Sequence, residues 1–190
     1  LTPTLLKARE AELSEALAER EKSIVASELP RRLGELAHRF LEYWDFAADE
    51  PSELHAQLAP FLAKWIEPRF RDHRDEFRAE LEEILAVFFA SSVYRELRSS
   101  EILGREVPLV MPWNGQIMEG VIDLLYEKDG RLFIADYKTD RVDRNQLAEA
   151  VSRYHYQVEI YSEAVHRVLK KEIAGFKLIF LRLGEAVDAL

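Results

Sequence analysis

The stretch "GVIDLLYEKDGRLFIADYKTD", Gly120 to Asp140, constrains the fold more than any other part of the chain. Its Asp129-Gly130 dipeptide has the composition of a two-residue hairpin turn. The flanking runs are apolar on both strand faces, with Val121, Leu125 and Ile134 on one and Ile122, Leu124, Phe133 and Ala135 on the other. Strands of that kind are central in a sheet. A two-residue turn pairs Lys128 with Arg131, and stepping outward places Asp123 opposite Asp136. Directly opposed residues have Cβ atoms about 4.5 to 5.5 Å apart, and like charges so placed are destabilising unless compensated. A divalent cation is the economical compensator. Lys138 shares the face of Asp136, one residue pair further on. A four-residue loop would instead make Asp136 a diagonal neighbour of Asp123, still within reach of one ion. The bland alternative, a solvated sheet face, fits poorly with the apolar neighbours and with the low strand preference of Asp.

The hairpin sits in a chain whose hydrophobic period changes after about Leu103. Before that point the pattern is helical: Leu33, Leu36, Ala37, Phe40, Leu41 and Trp44; then Leu54, Leu58, Phe61 and Trp65; then Phe77, Leu81, Ile84, Leu85 and Phe88. Residues 1 to 30 carry only a sparse stripe of Leu13, Leu17 and Ile24, suited to a partly exposed helix that Pro30 is expected to stop. Later segments read as strands at about 105 to 110, 116 to 126, 131 to 139 and 176 to 183, with a second turn signal at Asn114-Gly115. Between the last two strands, Leu147, Val151, Tyr154, Val158, Tyr161, Val165 and Val168 predict one long helix and hence a strand, helix, strand crossover. The expected fold is α/β (α+β), a mixed sheet with helices packed on it. Residues 1–190 are read as a single domain, with 1–100 mainly helical and 101–190 carrying the sheet and crossover helix.

Composition narrows the chemistry. The absence of cysteine excludes a disulfide framework, a thiolate zinc site and a cysteine-ligated iron–sulfur cluster, so any metal must use His, Asp, Glu or backbone oxygen. The formal charge of −9 counts against a protein that finds nucleic acid by its own electrostatic field. It does not exclude DNA chemistry, since a carboxylate-lined metal site is acidic before the cation arrives. The Arg-rich run "PRFRDHRDEFR" is nearly neutralised by Asp72, Asp75 and Glu76 and reads as a solvated helix face. No apolar run approaches the roughly 20 residues that span a bilayer, and no secretory signal opens the chain, so a soluble cytoplasmic protein with no membrane partner is expected. The chain begins at Leu1 without Met and is expected to be a piece of something longer.

Gly120-Val-Ile-Asp123, the short hairpin and Asp136-Tyr-Lys138-Thr resemble the catalytic signature of the PD-(D/E)XK nucleases, specifically the nuclease domain of the RecB and AddA type attached to helicases. Two further motifs are similar in the same order: "GELAHRFLE", Gly34 to Glu42, and the Gln157-x-x-x-Tyr161 element of "YHYQVEIY". The resemblance spans about residues 33 to 183. It implies a restriction-endonuclease-like sheet flanked by helices, with a divalent metal, Mg²⁺ or Mn²⁺, held by His38, Asp123, Asp136 and the backbone carbonyl of Tyr137. Lys138 would orient or deprotonate the attacking water, or stabilise charge developing on the phosphorus centre. Gln157 and Tyr161 would reach the site, supporting the lysine or contacting the scissile strand. Without the resemblance, these tyrosines read as core residues with polar tips.

Helical geometry tests His38 independently. At about 100° per residue, the apolar stripe around it is centred roughly 130° from His38, so the imidazole points away from its own helix's core face. Gly34, one turn earlier, is read as leaving space beside the ring. Glu106 could hydrogen-bond near the metal and no more, and Glu119 is expected to be solvated or paired. His55, His73, His155 and His166 are read as structural.

The function so implied is metal-dependent DNA exonuclease activity in the C-terminal part of a RecB- or AddA-like helicase–nuclease. The implied partners are DNA, motor domains in the same chain and a second subunit. The alternatives are a stand-alone or phage-associated nuclease of the same fold, and a degenerate nuclease fold serving as a protein-binding scaffold.

Overall fold

The computed structural model describes the backbone of residues 3–190 and the side chains from Glu19 onward, apart from those of residues 21 and 22. The stripe residues Leu13 and Leu17 therefore lie outside the described side chains. Helices α1 (Pro3–Tyr43), α2 (Leu54–Trp65), α3 (Arg74–Ala90) and α4 (Ser92–Arg98) precede strands β1 (Glu101–Trp113), β2 (Gln116–Lys128) and β3 (Arg131–Lys138). Helices α5 (Leu147–Ser152) and α6 (His155–Leu169) follow, then β4 (Ile173–Phe180) and β5 (Glu185–Asp188).

The five strands form one mixed sheet in sequence order. All neighbours are antiparallel except β3 and β4, which are parallel because α5 and α6 carry the chain across between them. The two hairpins follow from turn chemistry: Asn114 and Gly115, and Asp129 and Gly130, all have positive φ, as type I′ turns require. The Lys128–Arg131 register expected from the second turn is the one observed.

Side chains alternate across the sheet and build a core on each face. Phe133, Ala135, Tyr137, Ile179 and Leu181 face α1–α4, while Leu132, Ile134, Phe176, Leu178 and Phe180 face α5 and α6. The result is three layers with the central strands buried on both sides, and it is the restriction-endonuclease-like α/β arrangement. The "PRFRDHRDEFR" run is a 3-10 turn leading into α3, with Phe70 and Phe77 buried and most of its charges exposed.

Several expectations fail in instructive places. Pro30 lies inside α1 instead of ending it. Both Pro30 and Ala26, whose carbonyl loses its partner, are exposed, so water can take that carbonyl and the break stays cheap. Pro30→Ala should accordingly stabilise the protein, by up to about 3 kcal/mol, seen as a higher Tm. The crossover is two helices, because Arg153 and Tyr154 form a turn between α5 and α6; the apolar spacing of three and four runs through that turn unbroken and cannot signal it. Strand β1 begins at Glu101, earlier than the Val-rich segment suggested, and β5 gave no alternating pattern long enough to read.

Candidate active site

The β2–β3 ladder closes with Leu124 opposite Ala135 and then stops, one pair before Asp123 and Asp136. Asp123 fills the opening: its Oδ2 accepts the backbone N–H of Tyr137 at 2.6 Å, a bond that would otherwise belong to the ladder. Within a strand, successive residues point their backbone groups to alternate edges. The Lys138 carbonyl turns toward β4, accepting from the amide of Leu181 at 2.9 Å, so the Tyr137 carbonyl turns toward Asp123. The split also disturbs the side-chain alternation of β2, for Ile122, expected opposite Leu125, packs in the same core cluster with it.

Three layers meet at this split. From α1, His38 brings Nδ1 to 3.2 Å from Asp123 Oδ1, and its ring stands edge-on to that of Tyr137. The apolar face of α1 is buried against its own layer, so the imidazole emerges beside the sheet as its helical position required. Gly34 does not serve the ring as expected: a Cβ there would come within 3.0 Å of Thr139 Oγ1, so the glycine lets α1 approach the end of β3. From α6, Gln157 donates from Nε2 to Asp136 Oδ1 and accepts from Lys138 Nζ at 3.0 Å. The Lys138 ammonium lies 2.6 Å from Asp136 Oδ2 and 3.7 Å from the centre of the Tyr154 ring. Tyr154 in turn donates to Asp140 at 2.9 Å.

Tyr161 acts one step back. Its hydroxyl accepts the Val121 N–H at 3.3 Å, and its ring lies over Gly120, where a Cβ would be 2.6 Å from the hydroxyl oxygen. Gly120→Ala should therefore push Tyr161 out of place at a cost of about 1–3 kcal/mol, measurable by urea denaturation, with Tyr161→Phe in the same chain recovering part of it.

Glu106 is the residue that sequence reasoning undervalued. It has a left-handed backbone (φ 47°), uncommon for glutamate, and it occupies the β1 position facing Asp123 in a register that runs from Arg105–Leu124 to Val107–Ile122. Among the described residues, His38, Glu106 and Asp123 form the group whose ligand atoms all lie within 4.8 Å of one another. The positive φ re-aims the carboxylate, and no one-dimensional pattern reveals that. Glu119 is exposed, as expected.

The electrostatics of the site call for a cation. Asp123 and Asp136 are 6% and 3% exposed and are the two buried charged residues among those described. Burial and the charge of Asp123 push the Asp136 carboxyl up, against the opposing pull of Lys138. Burial and Asp123 likewise raise Glu106. Burial alone would lower His38, but its hydrogen bond to Asp123 and the charges of Asp123, Asp136 and Glu106 hold it above the ordinary histidine range. Carboxylates raised together mark an excess of negative charge, and a donor set of carboxylate oxygens with one imidazole fits a hard divalent ion.

A mixed sheet sandwiched by helices, whose central hairpin splits to present buried carboxylates beside a lysine, defines the class of metal-dependent phosphodiesterases built on the restriction-endonuclease plan. The chain belongs to the PD-(D/E)XK nuclease superfamily, whose family model matches residues 8–188. It is 27% identical over 170 residues to the ATP-dependent helicase/nuclease subunit (AddA) of Staphylococcus carnosus (strain TM300), covering 80% of this chain and 14% of that protein. The same protein of Desulforudis audaxviator (strain MP104C) is 29% identical over 172 residues, covering 83% of this chain and 14% of its own. That of Staphylococcus saprophyticus is 27% identical over 190 residues, 90% of this chain and 15% of the relative. The chain thus spans 14–15% of the length of these relatives. No described helix is long and apolar enough to cross a membrane.

Proposed function

We propose that this nuclease domain is a Mg²⁺- or Mn²⁺-dependent deoxyribonuclease working as an exonuclease. In that reading it acts in the cytoplasm on DNA ends during double-strand-break repair and recombination, joined to helicase motor domains and a second subunit. Residues 1–190 act as one unit, since His38 from the helical part and Asp123 from the sheet share the site. The observation that carries the reading is the convergence of His38, Asp123, Asp136, Lys138 and Gln157 on the split hairpin.

His38, Asp123, Asp136 and the Tyr137 carbonyl hold the ion, and Glu106 joins them from β1. When bound, the ion supplies Lewis acidity toward a phosphate oxygen and an attacking water. The chain's own residues do the rest. Lys138 presents an ammonium to the phosphate or the water, and Gln157 fixes it by holding both Lys138 and Asp136. The Tyr137 amide fixes Asp123 in the gap between the strands, so the carboxylates are positioned before substrate arrives.

Linear and circular single-stranded DNA, each incubated with Mg²⁺ or Mn²⁺, separate the possibilities. Degradation of the linear substrate with the circle left intact is expected. Cutting of the circle would replace the exonuclease with an endonuclease, and no cutting of any DNA would leave a protein-binding scaffold. Binding of the ion is checked separately by melting. Mn²⁺ at 100 times its Kd should stabilise the wild-type protein by about 2.7 kcal/mol and Asp123→Ala hardly at all, so an equal shift in both would place the ion elsewhere.

A further inference from the structure

Beside the candidate site, on the outer surface of the helical layer, lies an aromatic and cationic cluster that neither the core nor the catalytic residues use. Tyr43, the last residue of α1, is 58% exposed and stacks on Trp65 at the end of α2, ring centres 5.7 Å apart and 26° from parallel. The Arg39 guanidinium lies 4.8 Å from the centre of the Trp65 ring, and the Lys64 ammonium lies 4.6 Å from Trp65 and 5.7 Å from Tyr43. The platform is fixed, because Arg32 donates to the Trp65 carbonyl at 3.0 Å and Tyr43 and Trp65 brace each other. Arg39 also borders an open depression lined by Arg31, Gly34, His38, Glu42 and Glu106, so the cluster and the metal-ligand candidates share one surface. The acids of that depression are partly neutralised, Glu35 by Arg31 and Arg32 and Glu42 by Arg39.

We propose that Tyr43 and Trp65, flanked by Arg39 and Lys64, form a single-strand DNA subsite that stacks an unpaired base next to the cleavage centre. Resting on the nuclease reading for its link to cleavage, it specifies the substrate as single-stranded at this point. Tyr43 keeps a free aromatic surface, every nucleobase has a π-face to lay on it, and the two cations stand where the neighbouring phosphates would run. Stacking suits this chain: with a net charge of −9 it cannot draw nucleic acid by long-range attraction, so a local subsite must work at contact. From His38 to Tyr43 the rise along α1 is about 7.5 Å, roughly two phosphate spacings of a stacked strand. A duplex cannot use the platform, because its bases are already stacked and paired.

The test is the affinity of the protein for a fluorescent oligodeoxythymidine, by anisotropy in EDTA and low salt so that nothing is cut. Tyr43→Ala should weaken binding about 5- to 100-fold, and Tyr43→Phe, which keeps the ring, should bind as wild type does. Lys64→Gln should reduce the slope of log affinity against log salt by about 0.7, the value of one phosphate contact on a single strand. Affinity for a duplex of the same length should be unchanged in Tyr43→Ala. An unaltered oligodeoxythymidine affinity in Tyr43→Ala, an equal loss in Tyr43→Phe, or no binding by wild type overturns the proposal. The first of these would leave the cluster as a protein-docking surface or a brace between helices. Hydrolysis of bis(p-nitrophenyl) phosphate with Mn²⁺ separates this outcome from the nuclease reading, for that small diester carries no base. Its turnover should be the same in Tyr43→Ala and wild type; if wild type cleaves neither it nor DNA, the nuclease reading fails while the binding data still decide the subsite.

Discussion

Lys138→Ala is expected to slow cleavage of linear DNA by about 10²- to 10⁴-fold in single-turnover assays, the usual worth of one positioned proton-transfer or charge-stabilising group. Metal binding should survive. The Lys138 ammonium sits 2.6 Å from Asp136 and competes with any cation for that carboxylate, so its removal leaves the Mn²⁺-dependent rise in Tm intact or larger. Asp136→Ala should lose both cleavage and most of the Mn²⁺ effect, because it removes a ligand and frees Lys138 and Gln157 to rearrange. His38→Ala should resemble the ligand class. If Lys138→Ala cuts DNA at the wild-type rate, the assignment of the active-site lysine is wrong.

The largest effect on stability is expected from Trp44→Ala, at about 3–5 kcal/mol. Trp44 is 1% exposed, its ring stacks on Phe89 at 4.4 Å and Phe40 at 5.7 Å, and its Nε1 donates to the Tyr94 hydroxyl at 3.3 Å. Truncation opens a cavity in the helical core and leaves the Tyr94 hydroxyl without that donor. Against a total stability of about 5–15 kcal/mol this would leave little margin at 37 °C. The midpoint of urea unfolding measures it. A loss below about 1 kcal/mol would mean that α1, α3 and α4 repack around the gap, well outside the usual range for a buried aromatic.

How far the sequence reached differs from one element to the next. The turns were legible because Asn-Gly and Asp-Gly select left-handed backbone at two successive residues, and the strand register follows from the turn. The apolar stripes of α2 and α3 were legible because a residue's place on a helix surface is set by number alone. The ends of elements were less so. Pro30 has a strong local preference against a helix interior, but whether its lost hydrogen bond matters depends on whether the Ala26 carbonyl meets water, and exposure is a property of the packed chain. The turn at Arg153 and Tyr154 conserves the apolar spacing and so left no mark on it.

The same division runs through the site. The sequence by itself determined the residue types, the hairpin register that brings Asp123 and Asp136 to neighbouring strands, and the ridge that puts Tyr154, Gln157 and Tyr161 on one side of a helix. Only the tertiary structure decided that the ladder ends at Leu124 and Ala135, that Asp123 takes the Tyr137 amide, and that Glu106 turns toward it with a positive φ. Nor could sequence alone bring His38 to Asp123 across 85 residues of chain. The reason is physical: local periodicity says which face of an element is apolar, whereas the partner of a polar group at a layer boundary is chosen by how whole layers pack. A carboxylate at the seam of three layers is placed by all of them together.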